Sequence, residues 1–258
     1  MPPQASSGQS IPKSSFKLLF PLGKIILLFV LLLFVALSYS EKINLTTADL
    51  GRHLKNGEIF VTQLKFIKTN FYSYTQPDHP GINNHWLTGV VFFLIERRMG
   101  FAGLGIFHTL LFGLTLWIFF RITEKTTNFS YAFFFSILSL PLITSRTEVR
   151  PEVLSYLFLG IYLWILSEVR TGKARSTILW ILPLIQVFWV NMHIFFIFGI
   201  FLIGAFFLEA GGIKKDFSLA QRYFGVGVLS ALVCLINPFG LEGALAPFTI
   251  FLNYGYMV

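Results

Sequence analysis

"WLTGVVFFLI", residues 86 to 95, runs straight into Glu96-Arg97-Arg98, and the fold turns on whether this stretch crosses a bilayer. A helix of that length extends about 15 Å, half of a hydrocarbon core of about 30 Å. The expectation is therefore an interfacial or re-entrant helix that returns to the face it started from. Most of the remaining chain is built from longer apolar runs. With 258 residues, 55% hydrophobic, 12% charged and 31 Phe, the composition excludes an ordinary soluble globule and describes a polytopic membrane protein. Charges fall in the short gaps between apolar runs, as they must where a charge at the bilayer centre costs about 3 kcal/mol. The expected fold class is all-α: a polytopic transmembrane helical bundle with a long outer first loop carrying juxtamembrane helices.

Apolar runs of near-spanning length predict about seven spans, at about 22–40, 101–120, 129–145, 152–167, 177–192, 193–208 and 222–236. Residues 1–21 read as a disordered cytoplasmic N-terminus, 22–258 as the transmembrane domain and 41–100 as its outer loop. If 86–98 does not cross, the inside segments are 1–24, 121–128, 168–176 and 209–222. These hold 11 Lys and Arg against 4 Asp and Glu, which leaves 9 against 8 of the chain's 20 and 12 for the outside. The positive-inside rule favours this arrangement, a multi-pass protein of the plasma (inner) membrane with a cytoplasmic N-terminus. Loops facing anionic lipid then account for the net charge of +8, and no nucleic acid is needed as a partner. The alternative for the first span is a cleaved signal peptide, because Ala36-Leu37-Ser38 forms a small-x-small site after an apolar run preceded by Lys13, Lys17 and Lys24. The single cysteine, Cys234, leaves no disulfide framework and no thiolate metal site.

This topology collects the chemistry on the outer side. In "NLTTADLGRHLKNGEIF" (44–60), Thr47 is the expected N-cap of a helix over about 48–56, with Gly57 as its stop. Asp49 and His53, four apart, would share one face as an acid/base pair, and Glu58 follows them. The aromatic segment "TNFYSYTQPDHPGINNHWL" (69–87) ends in His85 and Trp86, and reads either as interfacial anchoring or as a surface for stacking sugars. "SRTEVRPE" (145–152) carries Arg146, Glu148, Arg150 and Glu152. Pro151 suits the first turn of the following helix, whose free N–H groups and two neighbouring arginines would hold a phosphate. The competing reading is a loop whose Arg and Glu neutralise one another. Asn191 and His193 fall at an expected tight outer turn, and Asn237-Pro238 at a helix stop. His108, inside a span, reads as a packing residue. The chain has no P-loop, HExxH or nucleophile elbow.

The sequence of a first span, "DLGRHLKNGE", "TNFYSYTQPDHPGINNHWLTG" and then Arg150-Pro151-Glu152 at the next outer turn resembles bacterial multi-pass glycosyltransferases of the GT-C superfamily over about 24–239. These are related to protein mannosyltransferases, the aminoarabinose transferase of lipid A and the catalytic subunit of oligosaccharyltransferase. The resemblance implies transfer of a sugar from a polyprenyl-phosphate-linked donor to an acceptor glycan, lipid or protein at the outer face of the lipid bilayer. Asp49 would be the catalytic carboxylate, assisted by His53 or His85. The donor phosphate would lie at Arg146 and Arg150. Glu58, Glu148, Glu152, Trp86, Asn191 and His193 would bind the acceptor or support the site. No cofactor is fixed by the resemblance; a divalent cation is compatible with it, with unknown ligands. Enzymes of this type usually have more spans, so the chain is expected to be a truncated form or a minimal core. The alternatives are a non-enzymatic membrane scaffold and a transporter subunit.

Overall fold

In a computed structural model, the described residues are 13–40, 43, 45 and 49–253, with side chains described within 22–250. Among them the chain is helical and no strand forms; one isolated bridge joins Thr69 and Pro80. The helices are α1 (Lys13–Ser38), α2 (Leu50–Gln63), α3 (Trp86–Thr126), α4 (Phe129–Thr144), α5 (Glu152–Arg170), α6 (Ile181–Met192), α7 (Ile197–Leu208), α8 (Phe217–Val233) and α9 (Gly240–Asn253). Helix α1 starts at Lys13, inside the stretch expected to be disordered, because the apolar run already begins at Leu18.

Three helical stretches are long and apolar enough to cross a membrane: Trp86–Thr126, Glu152–Arg170 and Ile194–Ile213. The seven spans expected from hydropathy are thus corrected in length. Leu22–Ser38, Phe129–Thr144, Ser176–Met192 and Phe217–Val233 are apolar but shorter. Local capping sets several of these ends: the Asn128 side chain accepts from the Tyr131 N–H and that of Asp216 from the Leu219 N–H, so α4 and α8 cannot extend further back.

The 86–95 stretch is not a separate helix but the first arm of α3. The arm breaks at Gly100, whose φ of 66° and ψ of −172° lie where only glycine is at ease. An unbroken helix would hold Phe92 and Leu104 about 18 Å apart. Instead both are buried in one cluster with Leu50 and Val149. Trp86, at the start of the arm, donates to Asn191 in the last turn of α6, and Thr88 donates to the Met192 carbonyl. Just past the arm, Phe101, Ala102 and Ile106 line a cleft with Tyr39, Ser40 and Ile43 after α1. The Tyr39 hydroxyl in turn donates to the Ile143 carbonyl near the end of α4. The arm therefore begins and finishes at one end of the bundle, which we call the histidine end.

Helix α2 lies against this arm. Gly57, expected to stop the helix, sits inside it; the helix runs on to Gln63 and closes at Leu64, which is left-handed. The reason is distant in sequence: a Cβ on Gly57 would collide with the Gly89 carbonyl, and one on Gly89 would press on the His53 carbonyl at 2.6 Å. The two glycines let the backbones touch. Thr47, the expected cap, lies outside the described residues.

A buried polar seam holds the rest of the bundle. The Tyr162 hydroxyl meets Gln186 Oε1 at 2.7 Å and the Leu182 carbonyl at 2.8 Å, and Gln186 Nε2 donates to the Phe196 carbonyl at 3.0 Å. Trp189 Nε1 donates to Ser155 Oγ at 2.8 Å. Gly199 makes room for this seam, since a Cβ there would come within 2.9 Å of Gln186, Trp189 and Tyr162. At the far end, Lys125 pairs with Glu168 at 2.7 Å and Arg170 with Glu209 at 2.7 Å.

Substituting Gly57→Ala should lower stability in detergent by about 1–3 kcal/mol through overpacking. Gly51→Ala on the same helix, whose added Cβ would meet only the Leu45 carbonyl at 3.8 Å, should be neutral or better. Thermal unfolding followed by circular dichroism compares the two.

Candidate functional site

Three imidazoles stand in a row at the histidine end. His53 comes from the middle of α2, His85 immediately precedes α3, and His193 terminates α6. The rings of His53 and His85 are 5.4 Å apart and those of His85 and His193 5.0 Å. His53 and His193 are buried, His85 partly so. Burial is the main cause that drives the His53 pKa down to about 3, with the charges of His85 and Arg52 adding to it. Burial and then Arg52 take His85 down to about 4, Asp49 opposing slightly. Burial, His85 and His53 take His193 down to about 2. All three are neutral near pH 7, so the row offers hydrogen bonds rather than stored protons.

The tautomer of His193 follows from its partners. Ser155 Oγ accepts from Trp189 Nε1 and lies 2.8 Å from His193 Nδ1, so its own proton points at that nitrogen. The Phe195 N–H also donates to Nδ1, at 3.4 Å. Nδ1 is therefore an acceptor, and the ring proton sits on Nε2. His53 Nδ1, by contrast, is buried without a hydrogen-bond partner.

The expected Asp49–His53 pair is corrected by the backbone. Asp49 has φ 58° and ψ 16°, so it lies outside the helix geometry on which four-residue spacing depends. Its carboxylate is 67% exposed and pairs with Arg52 at 2.9 Å. His53 faces His85 instead. Glu58 is likewise on the surface of α2, 2.8 Å from Lys55. Trp86 and Asn191 form a structural tie: Asn191 accepts from Trp86 Nε1 at 2.8 Å and donates to the Ile236 carbonyl at 2.8 Å.

At the start of α5 the arginines are not free. Arg146 pairs with Glu152 at 3.0 Å, and Arg150 Nε lies 3.7 Å from Glu148 Oε2, too far for a hydrogen bond. Both of those last atoms are buried with no hydrogen-bond partner. The open anion site expected at this helix start is thus two ion pairs, the arginines and carboxylates having settled on each other. All four side chains line the mouth of a groove of about 470 Å³ between α3, α4 and α5. Its walls are mostly apolar and run from His108 to Thr123, a helical rise of about 22 Å. His108, expected to be a packing residue, is buried and stacks edge-on with Tyr39 and Phe112, while also lining this groove.

A second cleft, of about 720 Å³, opens on the other side of the histidine row. It lies under the 65–84 segment, with Arg52, Asn56 and His85 on one side and Ala246, Thr249 and Ile250 of α9 on another. Asn56 and Ser155 were not singled out by the sequence, whereas Tyr72 belongs to the aromatic stretch 69–87 that was read as anchoring or sugar stacking. Asp49 lines neither space, but its partner Arg52 lines the cleft. Among the described residues, no three His, Cys, Asp or Glu side chains are arranged to hold a metal ion.

No family model, no curated protein and no solved structure matches this chain.

The neutral histidines give stability a definite pH dependence. As pH falls below about 6.5, the unfolded chain takes up protons that the folded row refuses, so stability is full above that value and declines toward pH 4. Midpoint temperatures measured from pH 7.5 to 4.5 should fall, and the fall should be shallower in His53→Leu, which loses no hydrogen bond at Nδ1.

Proposed function

We propose that the chain is a membrane glycosyltransferase of GT-C type that moves a sugar from a polyprenyl-phosphate donor to an acceptor at the extracytoplasmic face. The observation that carries this reading is the long apolar groove with Arg146 and Arg150 at its mouth, together with a second cleft lined by four asparagines and His85. An isoprenoid chain suits the groove, and a phosphate suits the mouth once the arginines exchange Glu152 and Glu148 for it. Two guanidinium groups would stabilise the charge that grows on the leaving phosphate. Asp49, released from Arg52, would take the proton of the attacking acceptor hydroxyl as the new glycosidic bond forms and the bond to the phosphate oxygen breaks. Direct displacement inverts the anomeric carbon. His53 and His85 are held neutral by burial, and their role here is to orient the acceptor by hydrogen bonds. Trp86 at the start of α3 and Asn191 and His193 at the α6–α7 turn support them, while Glu58, paired with Lys55, lines neither space.

In this reading the shorter apolar helices also lie across the bilayer, giving seven spans with a cytoplasmic N-terminus in the plasma membrane. Basic groups at the end opposite the histidines support it: Lys125, Arg170 and Arg222 meet partners on neighbouring elements there, and Arg121 pairs with Glu124 on its own helix. A scaffold without catalysis is the second reading, favoured by the two ion pairs that close the mouth.

Purified protein in lipid nanodiscs, given labelled polyprenyl-phosphate sugars alone and with membrane extract, should transfer label; no transfer in either case favours the scaffold. Asp49→Asn should reduce transfer by about 10²–10⁴-fold with expression intact. Arg150→Ala should reduce it by about 10–100-fold, the equivalent of one charge-assisted hydrogen bond. Thr147→Cys should react with an impermeant thiol reagent added to intact cells, and Thr123→Cys only after permeabilisation; the reverse pattern inverts the topology.

A further inference from the structure

The 65–84 segment is built as a lid, and the space beneath it has a specific chemistry. Two backbone bonds close the segment on itself: Asn70 N–H to the His79 carbonyl at 2.8 Å and Gly81 N–H to the Lys68 carbonyl at 3.0 Å. The Tyr72 hydroxyl donates to Asn56 Oδ1 and fastens the lid to α2. The cleft is thus preformed rather than assembled on binding, and its 720 Å³ falls in the ~300–1,000 Å³ range of small-molecule sites.

Its lining discriminates among ligand classes. Four asparagines, at 56, 70, 83 and 84, line it, and no carboxylate does among the described residues. A cationic ligand therefore finds no counter-charge. The one strong cation, Arg52, is already paired with Asp49, so an anion is not demanded either. Asn56 and Asn83 spend their Oδ1 atoms on Tyr72 and on the His85 N–H, which leaves their amide N–H groups to donate. Carboxamides that place donor and acceptor side by side match adjacent hydroxyl groups. Phe71 and Tyr72 stand about half exposed at 55% and 47%, their rings 5.2 Å apart and mutually perpendicular. Exposed aromatic faces beside amides fit the C–H face and the hydroxyl rim of a sugar ring.

We propose that the cleft between the 65–84 lid and α9 binds a neutral oligosaccharide of about two or three residues, and that this glycan is the acceptor. The acceptor role rests on the glycosyltransferase reading; the binding itself does not. Arg52 and His85, both in the lining, hold the glycan's reactive end beside Asp49.

The test uses the full chain in nanodiscs without donor, with saturation-transfer NMR against neutral trimers of glucose, mannose and N-acetylglucosamine, a trigalacturonate and a Ser/Thr-containing octapeptide. At least one neutral trimer should bind saturably. Phe71→Ala and Asn70→Ala should each weaken it about tenfold, while Lys173→Ala at the opposite end should leave it unchanged. Binding of only the peptide or only the anionic trimer, no binding by protein whose thermal unfolding is unaltered, or affinity indifferent to both lid variants would overturn the proposal. The transfer assay separates the two claims. Saccharide binding without transfer sinks the transferase and leaves the site standing. Transfer whose acceptor KM and kcat ignore Phe71→Ala and Asn70→Ala sinks the site and leaves the transferase standing.

Discussion

The left-handed break at Gly100 is the constraint from which the rest of the histidine end follows. A residue with a Cβ would resist that conformation, and a continuous helix would carry Trp86 away from the α6–α7 turn. With the break, the 86–99 arm folds back and offers α2 a surface to lie on. The Gly57–Gly89 approach then brings the α2 backbone into contact with the arm, a distance at which His53 meets His85. Two small residues thereby bring together an imidazole from the loop and one from the start of a long helix. His193 joins them because Trp86 and Thr88 tie the arm to Asn191 and Met192.

Polar groups inside so apolar a bundle are satisfied almost entirely by one another. Ser155, Tyr162, Gln186 and Trp189 pass hydrogen bonds between α5, α6 and α7, and Gly199 opens the space they need. Each leaves few donors or acceptors bare in an environment that cannot solvate them. His193 draws its tautomer from this seam. The seam thus reaches from packing in the middle of the bundle to the chemistry at its end. His53 Nδ1 is one of the exceptions, with the Tyr223 and Ser230 hydroxyls deeper in the bundle and Glu148 Oε2 and Arg150 Nε at the groove, all buried with nothing to bond.

The two spaces at the histidine end differ in character. The groove between α3, α4 and α5 is greasy along its length and ionic only at its mouth. The cleft under the lid is lined by amides and aromatic rings. Ion pairing at the mouth keeps Arg146 and Arg150 from standing uncompensated beside an apolar channel, and it is exchangeable because Arg146 is 62% exposed and Arg150 31%. Asp49 with Arg52 plays the same part on the other side.

Length and polarity along the chain determined the helical class and the gathering of Asp49, His85, Arg146, Arg150, Asn191 and His193 at one end. These are sums over neighbouring residues, which a sequence displays directly. Tertiary structure alone decided the rest. Gly57 looked like a helix stop because its partner, the carbonyl of Gly89, lies far along the chain. Asp49 looked like the partner of His53 because spacing assumes helical backbone, and its left-handed φ removes that assumption. The starts of α4 and α8 were also set by the caps Asn128 and Asp216 rather than by hydropathy. Whether a side chain finds a partner depends on where a distant backbone has been placed, and no local sum of residue properties contains that position.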